Sequence, residues 1–256
     1  MLERGNGDNE HELKKTTCEA VVKSLRGRST CITFVPQVRK HMLQFRCLGI
    51  PVRVEPFFWL TLAILGALNT NRSIPDNSPI AILLIALFVL AGFISVLIHE
   101  LGHALTARHF GAQVSIVLQA LGGYARYSTH GVSRMQNIAI TAAGPLLQIL
   151  LGALVLGILK LAPPAQPAAA MFLIWLTAIS FIWAIFNLVP ILPMDGGRIL
   201  QLALGPERIR ITLWISIGTA AAMTIAAMTM GQLFIAIFMA MFGYQSWQAL
   251  QQRGSH

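Results

Sequence analysis

The chain has 256 residues, of which 55% are hydrophobic and only 11% are charged. Soluble domains carry about 25% charged residues, so this composition excludes an ordinary soluble domain and indicates a membrane protein. The formal net charge of +9 would suggest nucleic acid as the partner of a soluble chain, but in a membrane protein basic residues first report topology. We therefore expect contact with anionic lipid headgroups of the bilayer and no nucleic-acid partner.

The first 41 residues differ from the rest of the chain. Residues 1–41 mix both signs of charge without a sustained hydrophobic period, which predicts a cytoplasmic N-terminal tail with little fixed structure. From Met42 onward the sequence is apolar, so we predict one membrane domain over residues 42–256 and regard Met42 as a candidate natural start. The three cysteines all precede the first apolar segment without metal-like spacing, and we expect reduced thiols.

Six apolar segments are candidates for crossing the hydrocarbon core, which requires roughly 20 residues in a helix. We predict six transmembrane helices, at residues 55–69, 79–106, 136–160, 168–189, 209–229 and 231–250. Five is the alternative, because the first segment is short and the last two are separated only by a turn at Gly231. Residues 112–127 predict two short strands joined at Gly122 and Gly123. The predicted fold class is therefore an all-α polytopic membrane protein with a small membrane-associated β-hairpin after the second helix.

The basic residues predict the orientation of these helices. Of the 19 Lys and Arg residues, 17 lie in segments that six crossings would place on one side, and only two, Arg72 and Lys160, lie on the other. Cytoplasmic loops carry an excess of Lys and Arg, so both termini are expected in the cytoplasm. The compact chain with short loops suggests a bacterial inner membrane.

The second apolar segment ends in His-Glu-Leu-Gly-His at residues 99–103. On a helix, positions i and i+4 share a face, so His99 and His103 can bind one metal ion. Glu100 points about 100° away from His99 and can act on a water as the general base of a zinc hydrolase. A carboxylate within a transmembrane helix costs about 2.5 to 3.5 kcal/mol, which favours a functional role. The alternative is an interfacial Glu100 with histidines that face lipid.

A catalytic zinc ion requires a third protein ligand, and Asp195 is the best candidate. It lies in the stretch N-L-V-P-I-L-P-M-D-G-G, where Pro190 and Pro193 interrupt the helix and let the chain turn Asp195 inward. Gly196 and Gly197 then allow another backbone to come close. The alternative is a cytoplasmic loop in which Asp195 only caps the next helix.

The two motifs together resemble the site-2 protease family of intramembrane zinc metalloproteases. That family carries H-E-x-x-H on one span and N-x-x-P-x-P-x-L-D-G on another. The resemblance implies that His99, His103 and Asp195 bind one zinc ion and that Glu100 activates the attacking water. It also implies that Asn187 contacts the substrate backbone or stabilises the transition state.

The resemblance runs from about residue 42 to the C-terminus, with two departures. Met194 stands where the family usually has Leu, a change of similar volume that should matter little. Gln148 replaces the Asn of a Gly-Pro-x-x-Asn stretch. Its amide has the same donors and acceptor on a longer stem. We predict that Gln148 is a polar residue of the substrate-binding cavity. The alternative is interhelical glue, that is, a polar side chain that only hydrogen-bonds one helix to another.

The function implied by the resemblance is that of a zinc-dependent intramembrane endopeptidase. Such an enzyme hydrolyses peptide bonds in or near the transmembrane segment of a single-span membrane protein, in regulated intramembrane proteolysis. No insertion of PDZ size is visible, so substrate choice would depend on the membrane part, on the tail, or on prior trimming by an upstream protease. The alternative function is a metal transporter or a non-catalytic metal-binding membrane scaffold.

Overall fold

The computed structural model describes residues 42–70, 79–120, 122–128 and 131–252. The predicted N-terminal tail lies outside these ranges. The described elements are, in chain order, β1 (Leu43–Cys47), β2 (Ile50–Val54), α1 (Pro56–Thr70), α2 (Pro79–His109), β3 (Val114–Gln119), β4 (Gly122–Tyr127), α3 (Arg134–Leu161), α4 (Pro167–Asn187), α5 (Asp195–Leu204), a 3-10 turn (Pro206–Arg208), α6 (Ile209–Thr229) and α7 (Leu233–Gln252).

Apolar length determines where the helices lie. Each of the six predicted segments coincides with one helix to within three residues at either end. Five helices of the described residues are long and apolar enough to cross a membrane: α2, α3, α4, α6 with the preceding 3-10 turn, and α7. Helix α1 has 15 residues, and at 1.5 Å per residue it is about 22 Å long, less than a hydrocarbon core of roughly 30 Å. The predicted all-α polytopic class is confirmed. The number of transmembrane helices is five without the short helix α1 and six with it.

The predicted hairpin is present, as β3 and β4, but it belongs to a four-stranded sheet with the order β1-β2-β3-β4. Strands β1 and β2 form a second hairpin, whose turn at Leu48 and Gly49 has positive φ at both residues. This conformation matches the right-handed twist of the flanking strands. Strand β2 pairs in parallel with β3, so that Val52 lies opposite Ile116. The described sheet therefore has β1 and β4 as its free edges.

The turn of the β3–β4 hairpin lies before the two glycines that were predicted to form it. Strand β3 ends at Gln119 and β4 begins at Gly122, so Gly122 and Gly123 are the first residues of β4. The physical reason for Gly123 is the proximity of α2, because a Cβ atom there would lie 2.7 Å from Cγ of Glu100. The glycine thus allows β4 to cross directly over Glu100.

The largest hydrophobic core lies between the sheet and the helices α1 and α2. It contains inward-facing residues of β2 and β3, together with Phe58 and Leu62 of α1 and Val96, Leu101 and Ala104 of α2. Leu101 belongs to the His-Glu-Leu-Gly-His motif, and Val96 and Ala104 flank it on α2. The sheet therefore holds one side of the motif-bearing turn of α2, and α3 holds the other side, where Gly102 lies against the backbone of Ala143.

Candidate active site

Three predicted ligand atoms converge in the structure. His99 and His103 lie one turn apart on α2, and Asp195 is the first residue of α5. The two Nε2 atoms are 3.1 Å apart, and Oδ2 of Asp195 lies 3.1 Å from Nε2 of His99 and 3.4 Å from Nε2 of His103. All three side chains are buried. They form a group that could hold one metal ion within the part of the chain that the structure describes.

The chemistry of these atoms fits zinc. Nδ1 of His103 lies 2.8 Å from the carbonyl oxygen of Ile140, and Nδ1 of His99 lies 2.9 Å from Oε1 of Gln148. With the Nδ1 protons donated there, neutral rings present their Nε2 lone pairs to Oδ2 of Asp195, which lacks a hydrogen-bond donor among the described residues. Three converging lone pairs repel one another unless a cation lies between them. Tetrahedral zinc, with bonds of 2.0 to 2.1 Å, places its ligand atoms about 3.3 Å apart. The observed separations match this value.

The interruption between α4 and α5 places Asp195 beside the two histidines. Helix α4 ends at Asn187, and the segment 188–194 is irregular before α5 begins. Two of its backbone groups are satisfied by Ser216 of α6, whose Oγ accepts from the Leu192 N–H and donates to the Pro190 carbonyl. Irregular backbone at membrane depth needs such partners because lipid offers none.

The helix-capping alternative for Asp195 does not describe the structure. The N-cap residue of α5 is Met194, and no side chain caps this helix. The two glycines that follow are tightly packed, as predicted. A Cβ atom at Gly197 would lie 2.5 Å from the carbonyl carbon of Ile191, and one at Gly196 would collide with the carbonyl of Leu188. The chain therefore folds back on its own irregular segment, which turns Asp195 towards α2.

The other end of α5 is fixed by Arg134 at the start of α3. Its guanidinium donates hydrogen bonds to the carbonyl oxygens of Leu202 and Ala203. These carbonyls belong to the last turn of α5, where no intrahelical donor remains and a positive charge is favourable. The short helix that carries Asp195 is thus held at its first residues by tight backbone packing and at its last residues by α3.

Glu100 is buried beside the ligand group without belonging to it. Strand β4 covers its side chain at Gly123, and the backbone N–H of Ala125 faces its carboxyl group. Oε2 has no hydrogen-bond partner among the described residues. Glu100 also lines the same cavity as His99 and Asp195. An acceptor atom therefore remains available for a water molecule next to the candidate metal position.

The cavity has a volume of about 430 Å³. Its polar lining includes the three candidate ligands, Glu100 and Asn187. The lining also includes residues of β4 and four aromatic residues of α4 and α7, Trp183, Phe186, Phe238 and Phe242. Asn187 donates one amide hydrogen to the carbonyl of Trp183. A second amide hydrogen is left for a substrate.

The sequence predicted that Gln148 lines the cavity, but in the structure this residue lies outside the cavity lining. Its side chain has no exposed surface, and it is not among the residues that line the cavity. It lies one layer behind the site, in contact with the far side of the His99 ring. A direct contact with substrate would require this side chain to leave its hydrogen bonds.

Several residues that support the site were not predicted. Ser95, Ser180 and Ser216 are fully buried and hydrogen-bonded, and Gly144 lies so close to His103 that a Cβ atom there would come within 3.0 Å of the ring. The available signal was the presence of isolated serines in apolar helices. Ser95 in particular precedes His99 by four residues, which places both on one face of α2.

Fold and site together define a helical membrane protein with a buried His-His-Asp metal centre and an adjacent carboxylate. The model of Peptidase family M50 matches residues 87–164 and 155–230, which is more than half of the chain. The chain therefore belongs to Peptidase family M50, the site-2 protease family, and is an integral membrane protein with several helical spans.

Individual relatives agree with this assignment. The chain is 34% identical over 164 residues to zinc metalloprotease MJ0392 of Methanocaldococcus jannaschii, which is 64% of this chain and 45% of that protein. It is 31% identical over 155 residues to stage IV sporulation protein FB of Bacillus subtilis, which is 60% of this chain and 47% of the relative. The chain thus spans less than half the length of these curated relatives.

A solved structure shares the fold. The site-2 protease from Methanocaldococcus jannaschii superposes with a TM-score of 0.59 at 24% sequence identity, over 82% of this chain and 95% of that chain. The likeness concerns the arrangement of helices and strands.

Proposed function

We propose that the protein is a zinc-dependent intramembrane endopeptidase that hydrolyses peptide bonds in or near transmembrane segments of other membrane proteins. Family membership supports the class of reaction. The observation that carries the proposal is the free Oε2 atom of Glu100, which lines one cavity together with three converging ligand atoms. A site that only stores or passes a metal ion has no need of a carboxylate outside the ligand set.

His99, His103 and Asp195 would hold the zinc ion. When bound, zinc polarises a carbonyl group and makes water nucleophilic at neutral pH. Glu100 accepts the proton of the attacking water and returns it to the leaving amine. Strand β4 restricts the side chain of Glu100 to this position, because Gly123 packs against its methylene group and Ala125 faces its carboxyl. Preorganisation of this kind lowers the reorganisation that the reaction requires.

The substrate has to unwind before it reacts. The carbonyl of a helical peptide bond is already hydrogen-bonded and is shielded by its own side chains. In the cavity, Asn187 can bind the unwound backbone or stabilise the developing negative charge on the carbonyl oxygen. The proposed substrate is a single-span membrane protein, cleaved in regulated intramembrane proteolysis after an upstream protease has trimmed it.

The substitution Glu100→Gln tests the proposal. It removes the general base and keeps the volume, so proteolysis should fall about 10² to 10⁴-fold. Zinc content of the purified protein should be unchanged, because Glu100 is outside the ligand group. Membrane proteomes of cells with the intact and the substituted protein are then compared for single-span proteins that accumulate uncut. Glu207→Gln is the matched control, an exposed carboxylate on the 3-10 turn.

A transporter or scaffold would give a different result. Zinc would bind to the intact protein, but no cleaved product would depend on Glu100. Identical membrane proteomes for the intact protein and Glu100→Gln, with zinc present in both, would exclude the protease.

A further inference from the structure

Behind the metal centre, a continuous set of hydrogen bonds joins three helices. Nδ1 of His99 is 2.9 Å from Oε1 of Gln148 on α3. Nε2 of Gln148 is 2.8 Å from Oγ of Ser95 and 3.4 Å from its carbonyl oxygen, both on α2. Oγ of Ser95 is 3.0 Å from Oγ of Ser180 on α4. Ser95, Gln148 and Ser180, called here the amide relay, have no exposed surface.

The amide relay determines which nitrogen of His99 carries the proton. The carbonyl of Ser95 can only accept a hydrogen bond, so the NH₂ group of Gln148 has to face it. Oε1 of Gln148 then faces His99, and a carbonyl oxygen also only accepts. Nδ1 of His99 is therefore the donor, and Nε2 retains the lone pair that a metal ion needs.

The two histidines differ in how their tautomers are set. Nδ1 of His103 is bonded to the main-chain carbonyl of Ile140, which is present whatever side chain occupies position 140. The orientation of His99 depends instead on one side chain and on the serines that hold it. Gln148 makes no other use of Oε1 among the described residues, so its acceptor function is directed to the candidate ligand.

We infer that Gln148 is a positioning residue, which fixes the tautomer and ring orientation of His99 for metal binding while Ser95 and Ser180 fix the amide. This inference rests on the proposed zinc site. It differs from the two roles expected from the sequence, because a substrate contact requires access to the cavity and interhelical glue requires no particular partner.

The affinity of the purified full-length protein for zinc, measured by competition with a chelator, tests this role. Gln148→Leu preserves volume and removes the acceptor, and loss of such an outer partner typically weakens metal affinity about 10 to 100-fold. Gln148→Glu keeps an acceptor for Nδ1 of His99 and should lose less affinity than Gln148→Leu. Ser180→Ala should also weaken zinc binding. Its matched control is Thr177→Val on the same helix, whose hydroxyl is buried without a partner among the described residues, and which should leave the affinity unchanged.

Two further measurements separate positioning from the other roles. Thermal unfolding of the metal-free protein reports interhelical packing alone, and turnover at saturating zinc separates kcat from KM. Positioning predicts a lower kcat with KM unchanged, whereas a substrate contact predicts a higher KM. Weaker packing of Gln148→Leu with wild-type zinc affinity, or a rise in KM alone, would overturn the inference.

The result remains decisive if Gln148→Leu does not fold. Ser95→Ala removes the 2.8 Å hydroxyl partner of the amide and leaves only its 3.4 Å contact with the carbonyl of residue 95. It too should therefore weaken zinc binding, and wild-type affinity would overturn the inference. Failure of the proposed function is recognised separately, because the intact protein itself would then bind no zinc or show no cleavage that depends on Glu100.

Discussion

Gly144 on α3 shows how little space surrounds the metal ligands. A Cβ atom at this position would lie within 3.0 Å of the His103 ring, a distance that real Cβ atoms do not adopt. The ring cannot withdraw easily, because its Nδ1 is hydrogen-bonded to Ile140 on the same helix α3. Because Gly144 has no side chain, the space beside it is available for the ring of His103.

The substitution Gly144→Ala should therefore displace His103. A displacement of about 1 Å can lower a reaction rate about 10²-fold, and we expect a loss of this order in proteolysis together with reduced zinc content. Gly157→Ala is the matched control, because Gly157 lies on the same helix with no atom within 4 Å of a Cβ there. Equal zinc content and activity in the two variants would contradict this account of Gly144.

At the scale of residues, the sequence predicts what depends on local spacing. The proximity of His99 and His103 follows from a separation of four residues on a helix. The approach of Asp195 was predictable because proline and glycine interrupt a helix at membrane depth. The position of Gln148 was not, because it depends on how α3 crosses α2, which no local pattern contains.

The irregular segment between α4 and α5 is the element on which the third ligand depends. After Leu188 its backbone leaves the helical hydrogen-bond pattern, and Ser216 of α6 supplies a donor and an acceptor to it. Ser216 is fully buried. One hydroxyl group thus connects α6 to the backbone that precedes Asp195.

We predict that Ser216→Ala destabilises this segment. A buried polar group that loses its partner costs about 1 to 3 kcal/mol, so the free energy of unfolding should fall by that amount. Zinc affinity should fall with it, since Asp195 follows the segment directly. Ser246→Ala serves as the control, because Ser246 is equally buried with no hydrogen-bond partner among the described residues. If both substitutions have the same effect, the hydroxyl of Ser216 does not hold the segment.

Among the elements, helices were easier to predict than strands. The helices follow from apolar length, which is a local property. Strands β1 and β2 were missed although they form a local hairpin, and only the pairing of β2 with β3, more than 60 residues later in the chain, depends on tertiary structure. The alternation in Leu43–Cys47 and Ile50–Val54, with Leu48 and Gly49 between them, was the available signal. Gly123 was assigned to a turn because its actual reason, proximity to Glu100, depends on tertiary structure.

For the whole molecule, α1 determines how the two ends of the chain relate to the membrane. Five helices are long enough to cross, and α1 is shorter than the hydrocarbon core. If α1 crosses, six crossings place both termini on one side, as the distribution of basic residues predicts. If α1 only entered the bilayer, the segment before it would lie on the opposite side, which disagrees with the pairing of β2, before α1, with β3, after α2, in one sheet. The expected cytoplasmic position of the termini therefore depends on this one helix.

Single cysteines can decide the orientation, after the native Cys18, Cys31 and Cys47 have been replaced by alanine. Gln44→Cys lies on β1 before α1, and Ala165→Cys lies between α3 and α4, and both positions are exposed. A membrane-impermeant maleimide should label residue 165 in intact cells and residue 44 only in inverted membrane vesicles. Labelling of both positions from the same side would show that α1 does not cross.

Helix α3 supplies none of the three candidate ligands, yet it helps to hold each of them. Its contacts with the two histidines are direct, and its contact with Asp195 is through α5. Its Ile140 carbonyl and Gln148 amide hold the two imidazoles, and Arg134 holds the end of the helix that begins with Asp195. A homologue that preserves both histidines and the aspartate could therefore lose metal through changes in α3 alone. A classification based only on the histidine and aspartate motifs would count such a protein as an active hydrolase. Inspection of α3 would identify it as inactive.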